Sequence, residues 1–311
     1  MHTRTTFNLS VPEDYRFSAN LGYLTRSPKE CLHRIRDDCL YKALPLSGTP
    51  VVEIRAARNG GGLDVTLIGD SGEPHTAGFP GEPHPGGDVR AAAAAYIRDW
   101  LDLDADLGPF YRLAETDPIL VAAASAHRGL RLIGIPDLYE AIAWGILGQQ
   151  INLAFAYTLK ARLVEAYGGR VVRGGETYWT FPEPRIIAGL QVGDLAPLQL
   201  TVRKCEYLIH TADLISKGAI SKEMLSGLGY REAEKALVRI RGIGPWTANY
   251  VLMRCLRMKD AFPIDDVGLH HAIRHVTGSD AKPPREEILR LSAGWRGWES
   301  YATFYLWRLL Y

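Results

Sequence analysis

The segment RIRGIGPWTANYVLMRCL, residues 239–256, restricts what this 311-residue chain can build more than any other stretch. Apolar residues at helical spacing flank it, yet Gly242-Ile243-Gly244 breaks the pattern and Pro245 follows at once. A glycine inside a helix costs about 1 kcal/mol relative to alanine, and an interior proline about 3 kcal/mol, so one continuous helix is excluded. At the first position of a new helix the missing N–H of Pro245 is harmless. The segment therefore reads as a helix, EAEKALVRIR, then a tight reversal, then a second helix opening at Pro245. Two glycines permit the reversal and let another backbone come close. The first N–H groups of the second helix lack intrahelical acceptors and form an anion site suited to a phosphate. Arg239, Arg241 and Arg254 are nearby cations, so the hairpin could grip a phosphate backbone without reading base sequence. A plain helical hairpin ending in a glycine cap is the alternative.

Composition narrows the classes. The chain is 47% hydrophobic and 23% charged, ordinary for a globular protein, with room for two or three domains. No run approaches the roughly 20 apolar residues of a membrane span. The start, MHTRTTFNLSVPEDYR, lacks the apolar core of a signal peptide, and the expectation is a cytoplasmic protein. Cys31, Cys39, Cys205 and Cys255 form no Cys-x-x-Cys pair and read as reduced thiols, neither a disulfide frame nor a zinc site. Net charge is only +1, but residues 201–260 hold 11 basic and 6 acidic residues, so a local basic surface is possible around the hairpin.

Along the chain, TPVVEIRAA and LDVTLIGD read as strands joined by the hairpin signal RNGGG. KECLHRIRDDCL, 29–40, suggests a short helix lying on that sheet, and residues 71–87 read as a Gly/Pro-rich loop. From DVRAAAAAYIRDW onward the pattern is helical, with Asp88 as a cap. Two helices meet at GQQ (148–150), the second stopped by Gly168-Gly169, and a strand-like insert, VVRGGETYWTF, follows before at least four more helices. The expected class is α+β: a small antiparallel sheet domain with one or two helices over 1–112, then a mostly helical body over 113–311.

The hairpin's second helix is followed by DAFPIDDVGLHHAIRHV. Pro263 stops the preceding helix, and Asp265-Asp266 falls where the next one begins, favoured by capping and the helix dipole. Capping explains one aspartate; an adjacent pair needs solvent, a cation or a partner. Trp246 and Tyr250 share one face of the hairpin's second helix, and Trp298, Tyr301 and Trp307 come from the last helical segment. His271 and His275 are four apart, but no acidic ligand accompanies them and no zinc-hydrolase signature is present.

Taken together, ILGQQINLAFA, IRGIGPWTANYVLMR, DAFPIDDVGLHHAI and WRGWESYATFYLW resemble the helix–hairpin–helix superfamily of DNA glycosylases, in particular its alkylated-base branch, the bacterial 3-methyladenine DNA glycosylases II. The resemblance covers about residues 113–311, with a weaker likeness over the first third. It implies a hairpin (232–257) whose Gly242, Gly244 and Thr247 contact DNA phosphates, and a catalytic-aspartate segment (262–276). The alkylated-base spacing selects Asp266 as catalytic; the oxidised-guanine spacing would select Asp265 as second choice. Trp246, Tyr250 and Trp307 would line the base pocket, and Gln150 would fill the gap in the duplex, although the best-known relative has an apolar residue there.

The implied activity is monofunctional excision of cationic purines, such as 3-methyladenine and 7-methylguanine, from double-stranded DNA. An ionised carboxylate would stabilise the oxocarbenium-like transition state, and aromatic faces would hold the electron-poor base. Bifunctional members carry a Schiff-base lysine at the position held by Trp246, so no lyase step is expected. No cysteine follows Cys255, so no iron–sulfur cluster of the family type is expected, nor zinc. The resemblance implies a monovalent cation at the hairpin; a monomer without membrane association is the further expectation. The rival readings are a non-catalytic hairpin DNA-binding protein and a glycosylase-lyase for oxidised bases.

Overall fold

The computed structural model describes residues 4–58, 60–68 and 88–310. The loop expected over 71–87 lies outside them. In chain order the elements are β1 (Arg4–Leu9), α1 (Phe17–Leu24), β2 (Arg34–Arg36), β3 (Cys39–Ala43), β4 (Val51–Ala56), β5 (Leu63–Ile68), α2 (Val89–Leu101), α3 (Gly108–Thr116), α4 (Val121–Ala126), α5 (Leu138–Leu147) and α6 (Leu153–Tyr167). Then come the hairpin of β6 (Arg170–Arg173) and β7 (Glu176–Trp179), α7 (Pro184–Ala188), α8 (Val192–Leu195), α9 (Val202–Ser216), α10 (Lys222–Ser226), α11 (Tyr230–Val238), α12 (Pro245–Arg254), α13 (Val267–Thr277), α14 (Arg285–Leu291) and α15 (Glu299–Trp307).

The N-terminal sheet is antiparallel, in the order β1-β5-β4-β3-β2. In β5 burial alternates, with Leu63, Val65 and Leu67 inward, as a sheet with one covered face requires. Val51 to Ile54 of β4 are all buried, because both faces are covered there. Val52 and Ile54 join the main core, while Val51 and Ala43 meet Val171 and Tyr178 of the β6–β7 hairpin.

The helix expected over 29–40 is not formed. That stretch holds β2, a two-residue turn and the first two residues of β3, with Arg36 opposite Cys39. Asp37 and Asp38 both adopt left-handed φ, 50° and 56°. This is the mirror-image turn that matches strand twist, and aspartate tolerates it better than most residues. The Asp-Asp pair is the overlooked signal.

The expected cap is present: Asp88 accepts from Arg90 N–H at 2.9 Å at the start of α2. Residues 112 and 113 fall inside α3, and one hydrophobic core runs from the sheet through α1 to α15. Helix α1 is built into the helical body: Asn20 Nδ2 donates to Gly129 O at 3.1 Å, and Tyr23 packs on Phe304 with ring centroids 4.5 Å apart. Beneath it, Lys160 Nζ on α6 donates to Glu30 at 3.2 Å and to Glu140 of α5 at 3.3 Å, joining three parts of the chain through buried charges. Burial alone would raise the Glu30 carboxyl, but Lys160, His33 and the Leu32 N–H hold it well below the usual range. Among the described residues, no helix is long and apolar enough to cross a membrane.

Candidate active site

Helix α11 ends at Val238, the chain turns through 239–244, and α12 starts with Pro245 at its first position. Gly242 sits at φ +97°, and a Cβ there would lie 2.3 Å from the Tyr207 ring, so both conformation and packing demand glycine. Gly244 is different. Its φ is −89°, and an added Cβ would meet nothing within 4 Å. Its glycine is thus not required by anything inside the protein; the bare backbone faces outward.

At the start of α12, Ala248 N–H makes the first intrahelical bond, to Gly244 O at 2.9 Å. The N–H groups of Trp246 and Thr247 precede it and have no acceptor in the helix ladder. The Thr247 side chain is buried against Gly145, so what Thr247 can present outward is its backbone. Of the three nearby arginines, Arg239 and Arg241 are exposed, with Arg241 paired to Glu206 at 2.7 Å. Arg254 corrects the expectation of a third cation at the hairpin. It is 3% exposed, and its Nε donates to Ile133 O at 2.7 Å, because its position ten residues into the helix carries it to the interior.

Beside the hairpin opens a cleft of about 850 Å³, a size suited to a small organic group. Asp266 lies in its wall as the N-cap of α13, where Oδ2 accepts from Leu269 N–H at 2.7 Å. Trp246 Nε1 donates to Oδ1 at 2.8 Å and Trp307 Nε1 donates to Oδ2 at 2.8 Å. Two indoles and a helix N-terminus therefore aim at one carboxylate and fix its orientation. Gly268 makes room for this arrangement: a Cβ would lie 2.8 Å from Asp266 Oδ2 and 3.0 Å from Trp307 Nε1. Asp265 also borders the cleft but is exposed and paired with Arg285 at 2.8 Å.

The same indoles present ring surface. Trp246 stacks on Tyr250 with centroids 5.5 Å apart and planes at 28°, and Tyr250 lies 6.4 Å from Trp307 at 31°. Trp298 and Tyr301 instead pack around Phe110 in the core. Gln150 stands exposed on the cleft rim in left-handed backbone, φ 56°. Its neighbour Gln149 donates from Nε2 to Gly242 O at 2.9 Å, tying the α5–α6 turn to the hairpin.

Sequence reasoning did not single out Arg26 or Trp144, which also border the cleft, and weighed His271, another lining residue, only as a metal ligand. Trp144 lies in a helix apolar on every side, so no periodic pattern marks it. Arg26 arrives from the far end of the sequence. Four residues, Arg26, Trp144, Tyr250 and Arg254, border both the cleft and a smaller cavity of about 50 Å³. His270 is buried against Ile264 O at 2.8 Å, while His271 and His275 are exposed. Among the described residues, no group of three or more His, Cys, Asp or Glu is arranged to hold a metal ion.

A glycine hairpin tied to a second exposed turn, with a capped aspartate facing aromatic rings between them, defines a class of DNA repair proteins. Residues 143–297 match the HhH-GPD superfamily base excision DNA repair protein model, and the chain belongs to this superfamily. Within it the chain belongs to the alkylated-base branch. A DNA-3-methyladenine glycosylase of Bacillus subtilis (strain 168) is 47% identical over 303 residues, 97% of this chain and 96% of that one. DNA-3-methyladenine glycosylase 2 of Escherichia coli (strain K12) is 33% identical over 183 residues, 59% of this chain and 61% of that protein. A 3-methyladenine DNA-glycosylase from Archaeoglobus fulgidus has a TM-score of 0.77 at 22% identity, covering 97% of each chain. An 8-oxoguanine glycosylase/lyase of Clostridium acetobutylicum has a TM-score of 0.73 at 16% identity, covering 99% of this chain and 97% of that one. The fold is thus common to both branches.

Proposed function

We propose that this protein is a monofunctional DNA glycosylase that extrudes alkylated purines, such as 3-methyladenine and 7-methylguanine, from double-stranded DNA and hydrolyses their N-glycosidic bond. The observation that carries the reading is Asp266, held by two indole N–H groups and a helix N-terminus at the wall of an aromatic cleft. A purine alkylated at N3 or N7 already carries positive charge and leaves without strong protonation. The barrier then lies in cationic character developing on the sugar, which a fixed carboxylate in a water-poor cleft stabilises. The same carboxylate orients or deprotonates the attacking water. Water supplies the new C1′–O bond, the base departs with the electrons of the old C1′–N bond, and an abasic site remains.

The rings of Trp246, Tyr250 and Trp307 hold the extruded base, with cation–π attraction of about 0.5–2 kcal/mol. The N–H groups at the start of α12, with Gly242 and Gly244, take DNA phosphates, and Gln150 enters the gap in the duplex. Backbone carbonyls of the 239–244 turn are hard oxygen donors and would hold a monovalent cation; when bound, it adds positive charge beside the phosphate. The enzyme acts as a monomer.

Capping alone does not account for two indole donors on Asp266 at the wall of a cleft, which a protein that only binds DNA would not need, and among the described residues no lysine borders the cleft, which speaks against a Schiff-base lyase. Incubation with dimethyl sulfate-treated duplex DNA tests the reading by identifying the bases released. Asp266→Asn is expected to cut release at least 100-fold with DNA binding retained; parent-level release would move the role to Asp265. A covalent adduct trapped by borohydride would overturn the monofunctional assignment.

A further inference from the structure

Two exposed turns have to meet one duplex at the same time. The 239–244 hairpin takes phosphates, and Gln150 enters the gap left by the extruded nucleotide. The duplex fixes the distance between those two points. A turn that wandered relative to the hairpin would have to be ordered at each binding event, at a cost in conformational entropy. The protein holds the two turns together in three ways.

Helix α5, which leads into the 148–150 turn, packs closely on α12, which leads out of the hairpin: a Cβ on Gly145 would lie 2.5 Å from Thr247 Cγ2. Helix α9 braces both turns. Its buried Lys204 donates from Nζ to Leu147 O at 2.7 Å, and its Tyr207 ring packs against Gly242. Leu147 is the last residue of α5, where the helix leaves carbonyls without intrahelical donors and a cation is favoured. The third contact runs from turn to turn, Gln149 Nε2 donating to Gly242 O at 2.9 Å.

Gln149 and Gln150 are adjacent and chemically alike, yet their surroundings divide them. Gln149 is half-buried, and its amide nitrogen is committed to a hairpin carbonyl, which can only accept. Gln150 is exposed at the cleft, in left-handed backbone. We infer that Gln149 is a positioning residue whose bond to Gly242 sets where Gln150 stands relative to the gripped phosphates. This rests on the function proposed above. A base is hydrolysed only while it is out of the stack, and filling the gap disfavours its return. Gln149 thus acts on base release through Gln150.

A double-mutant cycle on single-turnover release of 7-methylguanine and 3-methyladenine from dimethyl sulfate-treated duplex DNA tests this. Gln149→Met, which keeps the length and loses the donor, is expected to slow release of both bases about fivefold, the order of one neutral hydrogen bond. Its melting temperature stays close to that of the parent. Gln150→Ala slows release further. In the Gln150→Ala background, Gln149→Met is expected to change release by less than about twofold, because the group it positions is gone. If Gln149→Met costs the same factor in both backgrounds, the amide supports the hairpin or touches the substrate directly, and the inference is overturned. Parental release by Gln149→Met overturns it as well. Parental release by Gln150→Ala would remove the gap-filling role on which the inference stands, and a parent enzyme releasing neither base would instead overturn the proposed function.

Discussion

Asp266 and its two indoles act as one unit, and the unit explains why tryptophan rather than another aromatic residue stands at 246 and 307. A phenylalanine would keep ring surface but leave one carboxylate oxygen without its donor. Trp246→Phe is therefore expected to lower single-turnover base release about tenfold to a hundredfold, the size of a lost hydrogen bond to a charged group, with little change in melting temperature. Release at the parental rate would show that Trp246 contributes only its face. The aspartate was legible in the sequence as a helix cap after a proline stop, because capping is local. The indole donors were not: positions 246 and 307 are far apart in the chain, and their meeting on one carboxylate depends on how α12, α13 and α15 pack.

At the scale of the element, the two glycines of the hairpin separate into different roles. Gly242→Ala is expected to destabilise the protein by about 1–3 kcal/mol, through left-handed backbone and collision with Tyr207. Gly244→Ala is expected to leave the urea midpoint unchanged while weakening binding to duplex DNA, because an added methyl stands where a phosphate backbone would approach. Equal losses of stability in the two variants would refute the division. The hairpin was readable because glycine and proline punctuate local structure directly. The β2–β3 hairpin was misread as helix because its two-aspartate turn is a weaker signal than one containing glycine.

For the whole molecule, the buried Glu30–Lys160–Glu140 cluster ties the N-terminal segment to α5 and α6 beneath the cleft. Lys160→Met leaves two buried carboxylates without their cation, at an expected cost of about 3–5 kcal/mol measured by urea unfolding. A second group reports through pH. Burial pushes Asp137, the N-cap of α5, up to about 6 despite the hydrogen bond from Glu140 N–H. The native state then holds the proton more tightly than the unfolded chain does. That contribution is full below the ordinary aspartate value near 4 and disappears as pH rises through about 6. Asp137→Asn, which still caps, is accordingly expected to stabilise the protein by about 1–2 kcal/mol at pH 8, since Asp137 keeps some contact with water, and by little at pH 4. An equal gain at both pH values would rule out titration of Asp137 as the cause.

The α+β class, the hairpin, the capped aspartate and the aromatic helix faces were readable from the chain alone, since each follows from the spacing of a few neighbouring residues. Tertiary structure alone decided which distant side chains converge. It turned Arg254 inward, exposed one face of Gly244, set two indoles on Asp266, and brought Arg26, two residues beyond α1, to the wall of a cleft lined from α5, α12 and α15. Periodicity shows which face of an element is buried. Only the packing of those faces shows what each side chain meets, and chemistry at a site depends on contacts of a few ångströms.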